Sequence, residues 1–152
     1  MLLCKRSWLE LMIASRLAVS GEEVGSSDDI LLVVTTLDDG GRKAALAFGV
    51  ALAALARGGN AHVFLSLESA RLGTPTGAEG VRPRGFSESM DEYIQHFLDL
   101  GGRLEVCSSC YEEYCRNLPA DESGRPRLRA GTQIQTLAIV AERATSMPVM
   151  TF

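Results

Sequence analysis

Apolar residues in this chain fall into short unbroken runs that alternate with stretches of helical spacing. Ile30–Thr36 (ILLVVTT) is a continuous, largely β-branched run, the pattern of a strand buried on both faces. Leu37–Arg42 (LDDGGR) reads as a turn with acidic residues at a helix entrance, where carboxylates meet the positive end of the helix dipole. Lys43–Arg57 is rich in Ala and Leu and predicts a helix that Gly58-Gly59 closes at the C′ position. Ala61–Leu67 (AHVFLSL) predicts a second strand. A connecting helix of that length allows a parallel crossover, so the segment reads as a right-handed βαβ unit.

Ser69–Gly85 is rich in Gly, Pro and Thr and too long for a simple connector; such loops are usually lids or disordered excursions. Ser87–Leu100 predicts a helix with Ser87 as cap, acids in its first turn, and Met90, Ile94, Phe97 and Leu98 on its apolar face. Gly101-Gly102 stop it, and Arg103–Cys107 (RLEVC) predicts a third strand that ends on a cysteine. A short helix over Tyr111–Leu118, a polar turn over Pro119–Arg127, and a short strand within Leu128–Ile134 follow. A last helix over Thr136–Thr145, with Leu137, Val140 and Ala141 inward, leads to a closing strand at Pro148–Phe152. No internal repeat occurs. Strands alternating with helices predict an α/β sandwich on a mainly parallel sheet.

The first 29 residues read differently, as an N-terminal extension and linker ahead of one domain over residues 30–152. Met1–Val19 has apolar residues at helical spacing, and Gly21–Asp29 is a Gly, Ser and acid linker. A secretory signal would use Lys5 and Arg6 as its charged region, but Glu10 and Arg16 interrupt the apolar stretch such a signal needs. The whole chain has 152 residues, 46% of them hydrophobic and 22% charged, the proportions of an ordinary globular protein. No run reaches the roughly 20 apolar residues of a spanning helix, so no membrane association is expected. A net charge of −4 has the wrong sign for a general nucleic-acid binder.

Three of the four cysteines, Cys107, Cys110 and Cys115, lie within nine residues, with Cys4 far away. A stapled secreted domain would spread its cysteines, so this clustering points to a reducing compartment, the cytoplasm. The cluster then serves redox chemistry, metal binding, nucleophilic attack or packing. In open parallel sheets ligands bind beyond the carboxyl ends of the strands, and Thr35–Arg42, Glu68–Gly85 and Cys107–Cys110 all fall there. Cys107 ends a strand and Ser108-Ser109-Cys110 begin a helix, so a thiolate at Cys107 would meet free helix amides. With a second cysteine three residues on, that setting lowers thiol pKa. The plain alternative is a buried strand-end Cys107 and packed helix residues at Cys110 and Cys115. Zinc would need a fourth ligand. Neither His62 nor His96 is near in sequence, so no metal and no cofactor are expected. Asp38 and Asp39 stand where a phosphate would approach, which argues against a nucleotide loop at LDDGGRK. Arg82-Pro83-Arg84 reads as a solvated loop.

The succession TTLDDGGRKAALAFGVALAALARGGNAHVFL, an amphipathic helix, LGGRLEVCSSC and the close GTQIQTLAIVAERATSMPVMTF resembles the DsrE/DsrF-like sulfur-relay family over roughly residues 29–152. The resemblance implies a three-layer α/β/α sandwich on a parallel sheet of about five strands, assembled as a trimer or hexamer. It also implies that the thiol ending the third strand, Cys107, accepts sulfane sulfur as a persulfide and passes it to a small partner carrier. Cys110 matches a second cysteine of some relatives, and Ser108 and Ser109 would stabilise the anion at the helix start. The YEEYCRNLPADESG stretch is longer and more acidic than the family's usual turn. Two other functions are open: a thiol–disulfide oxidoreductase using Cys107 and Cys110, and a non-catalytic oligomeric binding module. Pro148 before a strand favours the first, but a thioredoxin would continue with a strand pair and a terminal helix.

Overall fold

A computed structural model gives the fold, and the structure describes residues 29–152; the expected extension lies outside the described residues except for Asp29. The order is β1 (Ile30–Val34), α1 (Arg42–Ala56), β2 (Ala61–Leu65), a 3-10 helix (Leu67–Gly73), α2 (Pro75–Ala78), α3 (Met90–Asp99), β3 (Arg103–Cys107), α4 (Ser108–Tyr114), β4 (Thr132–Gln135), α5 (Leu137–Arg143) and β5 (Val149–Thr151). One five-stranded sheet has the order β4-β3-β2-β1-β5, with every pairing parallel. The three connections from β1 to β4 all step the same way, and their helices lie on one face of the sheet. The last connection steps back across the sheet and carries α5 over the other face, as a constant crossover hand requires.

Strand alternation divides the side chains between the two faces. Leu32, Val34, Val63, Leu65, Leu104 and Val106 join the main core with Phe48 of α1 and with Tyr93, Ile94 and Phe97 of α3. Phe48 and Phe97 meet edge to face there, with centroids 5.4 Å apart. Leu31, Phe64 and Cys107 point the other way and form a smaller cluster with Ile139, Val140 and Met147. One layer is thick and the other is a single helix, which completes an α/β/α sandwich.

The Ser69–Gly85 stretch is not a lid or an excursion. Ser69, Ala70, Leu72, Gly73 and Thr74 are buried, because the 3-10 helix tucks beneath the carboxyl ends of β1 and β2. The fully buried Ser69 hydroxyl donates to the Val34 carbonyl at 2.6 Å and accepts from the Ser66 amide at 3.1 Å. Thr74 Oγ1 accepts from the Gly77 amide at 3.0 Å and starts α2. Composition misled here because Gly73 and Gly77 sit where a Cβ would collide with Val106 and with the Arg71 carbonyl, while Thr74 serves as a helix cap.

The cap of α3 is Ser89 rather than Ser87. Its hydroxyl accepts from the Glu92 amide at 3.4 Å, and the Glu92 carboxylate accepts from the Ser89 amide at 2.7 Å, a reciprocal capping box. Met90, Ile94 and Phe97 are buried as expected and Leu98 packs partly buried against the same core, with Tyr93 as a further buried member of that face. The fourth helix begins at Ser108, directly after β3, as expected of Ser108-Ser109-Cys110, but it is one continuous helix through Tyr111 and ends at Tyr114 rather than Leu118. On α5 the expected inward set is corrected as well: Leu137 is 62% exposed and Ala141 is exposed, while Ile139 and Val140 face the sheet. The terminal strand forms as expected, over Val149–Thr151 beside β1.

Candidate functional site

Cys107 is the last residue of β3 and the cap residue of α4, with φ −58° and ψ 125°. Its ladder partner on β4 is Gln135. No loop separates strand from helix, so the chain turns at the sulfur-bearing residue itself. Alternation aims Cys107 at the face beneath α5, and the residue is 2% exposed. Cys110, half-buried on the first turn of α4, borders both apolar clusters. Ser109 Oγ lies 3.3 Å from Cys107 Sγ, and either atom can donate. No comparable contact ties the Ser108 hydroxyl to that sulfur, so of the two serines only Ser109 is brought to it.

The two thiols are driven apart electrostatically. Burial pushes the Cys107 pKa up, but the Ser109 hydroxyl, the Cys110 amide and thiol, and the Ser109 amide together outweigh it and leave it below the ordinary thiol value. Burial raises Cys110, and its neighbour's sulfur adds to that rise against the opposing Leu67 amide. The pair therefore gives up its first proton from Cys107, with Cys110 as the donor beside it. Leu67, whose amide faces Cys110, holds a left-handed φ of 51°. This geometry is uncommon for a residue with a Cβ.

Cys115 is separate from this pair. It is fully buried in the main core, and burial pushes its thiol up to about 11. Among the described residues no group of three or more His, Cys, Asp or Glu side chains is arranged to hold a metal ion. His62 is buried on β2 with burial lowering its pKa, aided by Arg143. His96 sits on the surface with its Nδ1 3.3 Å from Glu88. The Asp39 carboxylate accepts from the amides of Gly41, Arg42 and Lys43 at 3.1, 3.0 and 2.8 Å, so it caps the start of α1. Arg82 and Arg84 are exposed.

Sequence reasoning missed a buried ion pair on the same face as the thiol. Glu105, two residues before Cys107 on β3, is 1% exposed and is held by both terminal nitrogens of Arg143, one of them at 2.7 Å. Period-two spacing already places Glu105 beside Cys107. The available signal was a lone acid in a strand otherwise apolar on its inner positions.

No protein-family model matches the chain, and no curated protein matches it. Among solved structures it is similar to the ychN protein from E. coli, with TM-score 0.62 and 19% identity over 82% of this chain and 98% of that one. It is also similar to a conserved protein of unknown function from Bacteroides thetaiotaomicron, with TM-score 0.57 and 16% identity over 86% and 100%. The chain shares their fold. At these identities the likeness concerns architecture, a parallel α/β sandwich, and leaves the chemistry to the residues described above. No helix among the described residues is long and apolar enough to cross a membrane.

Proposed function

We propose that this protein is a sulfur carrier that takes up sulfane sulfur as a persulfide on Cys107. The observation that carries the reading is the strand-end thiol with Ser109 Oγ at 3.3 Å and Cys110 one turn away. The resemblance to the DsrE/DsrF-like sulfur-relay family and the parallel α/β architecture support it. The Cys107 thiolate attacks the outer sulfur of a donor persulfide, R–S–SH. The donor S–S bond breaks, R–S⁻ leaves and takes up the persulfide proton as R–SH, and Cys107 carries S–S⁻, with sulfane sulfur moved and no external oxidant consumed. The same amides and hydroxyl that favour a thiolate then face a persulfide anion. An acceptor thiolate attacks the terminal sulfur and regenerates the Cys107 thiolate. Where no acceptor is bound, attack by Cys110 on the inner sulfur releases sulfide and leaves a Cys107–Cys110 disulfide.

The partners in this reading are a sulfur donor protein and a small acceptor protein, met in the cytoplasm. Assembly as a homo-oligomer, a trimer or hexamer, belongs to the same proposal. It is supported by the exposed apolar residues Leu137 of α5 and Val149 and Met150 of the edge strand β5.

The test is mass spectrometry of the reduced protein after brief exposure to polysulfide, with peptides mapped after persulfide-preserving alkylation. Sulfur added on Cys107, and absent from Cys107→Ser, is the expected result. A rapid Cys107–Cys110 disulfide with no persulfide would replace this reading with thiol–disulfide exchange. No reaction at either cysteine would leave a binding module.

A further inference from the structure

The reacting thiol of the proposed carrier is 2% exposed, so a donor cannot reach it in the arrangement described. What covers it is identifiable. Cys107 shares a small apolar cluster with Leu31 and Phe64 of the sheet; Val33 and Cys110 pack on that cluster from β1 and α4, and Ile139, Val140 and Met147 from α5 and the turn after it. The cover is thin, since none of the seven residues of α5 is buried. It is tethered at its two ends by β4, which ends at Gln135 beside Cys107, and by β5 at the far edge of the sheet.

Between those ends, among the described residues, the Arg143–Glu105 pair attaches α5 to the sheet through polar groups. Arg143 is the last residue of α5, and its guanidinium grips both oxygens of the Glu105 carboxylate. Glu105 lies on the same strand and the same face as Cys107. Lifting α5 would expose both residues together. It would also strip a carboxylate that is 1% exposed of its partner, an unfavourable step until water reaches it.

We infer that Arg143 and Glu105 are positioning residues for the Cys107 chemistry, forming a latch that holds α5 over the thiol and sets how often a reactant can reach it. The inference rests on Cys107 as the reacting thiol. It assigns the pair a role in access and none in the acidity of the sulfur. Donor and acceptor proteins would then act by competing for α5 or for Arg143, an acidic surface being the chemistry that could draw the guanidinium away.

The experiment is iodoacetamide labelling of the reduced, full-length protein from neutral to strongly alkaline pH, with the rate at each cysteine read by peptide mapping. In Arg143→Gln the high-pH plateau rate at Cys107 should rise at least about tenfold, the loss of a buried pair being strongly felt. The pH midpoint of that rate should stay in place, and Cys115 should stay protected. Arg143→Lys, which keeps the charge but not the two-pronged grip, should fall between wild type and Arg143→Gln. It also provides a reading if the glutamine variant folds poorly. An unchanged plateau would overturn the latch. So would a moved midpoint at constant plateau, which would assign the pair to acidity, or parallel labelling of Cys115, which would mean global opening. Sulfur loading is scored separately. Faster labelling with no persulfide at Cys107 would remove the carrier reading and leave the latch, whereas normal loading with unchanged labelling would do the reverse.

Discussion

Cys115 allows a sharp test of the division between a reactive pair and an inert third thiol. Burial raises its pKa from an ordinary 9.0 to about 11. Below the lower value the thiol is protonated in folded and unfolded chains alike, and its contribution to stability is fully present. Between the two values the unfolded chain releases the proton and the folded chain does not, so stability falls as pH rises. At about 1.4 kcal/mol per pKa unit, that window removes about 3 kcal/mol. Cys115→Ala eliminates this term. The variant should begin less stable by about 1–2 kcal/mol at neutral pH, from lost packing, and the two stability curves should converge and cross on the way to about pH 11. The assay is urea unfolding in reducing buffer at a series of pH values, compared as a difference between the two proteins. Tyrosines, lysines and the other cysteines titrate in both proteins and largely cancel. A gap constant to within about 0.5 kcal/mol across the window would refute the burial argument and reopen Cys115 as a participant.

Two further outcomes follow from neighbouring residues. Ser109→Ala removes a hydroxyl that favours the Cys107 thiolate, so the pH midpoint of Cys107 alkylation should move upward and its neutral-pH rate fall, while the alkaline plateau stays put. Gly73→Ala would place a Cβ 2.3 Å from Val106 Cγ2, immediately beneath the Cys107 end of β3. Overpacking of that kind should cost about 1–3 kcal/mol in urea unfolding.

The fold was largely legible because each strand carries its own signal. ILLVV, AHVFL and RLEVC are short and strongly apolar, and Gly58-Gly59 and Gly101-Gly102 mark where helices give way to them. β3 ends at Cys107 as expected, and the thiol pair with Ser109 came from the same reading, since a strand running straight into a helix is a local event. The errors have different causes. Ser87 and Ser89 both precede acids, but only Ser89 has a glutamate three residues on, a local capping-box signal that was passed over. The Ser69–Gly85 stretch has loop composition, yet Ser69, Ala70, Leu72, Gly73 and Thr74 are buried, the Ser69 hydroxyl bonding the Val34 carbonyl at the end of β1 and the Thr74 hydroxyl the Arg71 carbonyl. The contact with β1 is not local.

The buried pair on the second face shows why the remaining part of the site was out of reach. Glu105 and Arg143 are 38 residues apart, and neither position looks unusual alone. Period-two spacing aligns Glu105 with Cys107, but it does not say which layer covers them. That depends on the strand order, which returns from β4 to the far side of β1 and so brings α5 across the sheet. Once that crossing is known, a charge at the Arg143 end of α5 has one buried acid to meet. The consequence reaches the chemistry: the residues that tune the Cys107 sulfur are its sequence neighbours, while the α5 layer packed over its cluster comes from the other end of the domain. Acidity and access can therefore change independently, so a substitution should move either the pH midpoint of Cys107 reactivity or its plateau. Ser109 and Arg143 are the two positions where that separation should be cleanest.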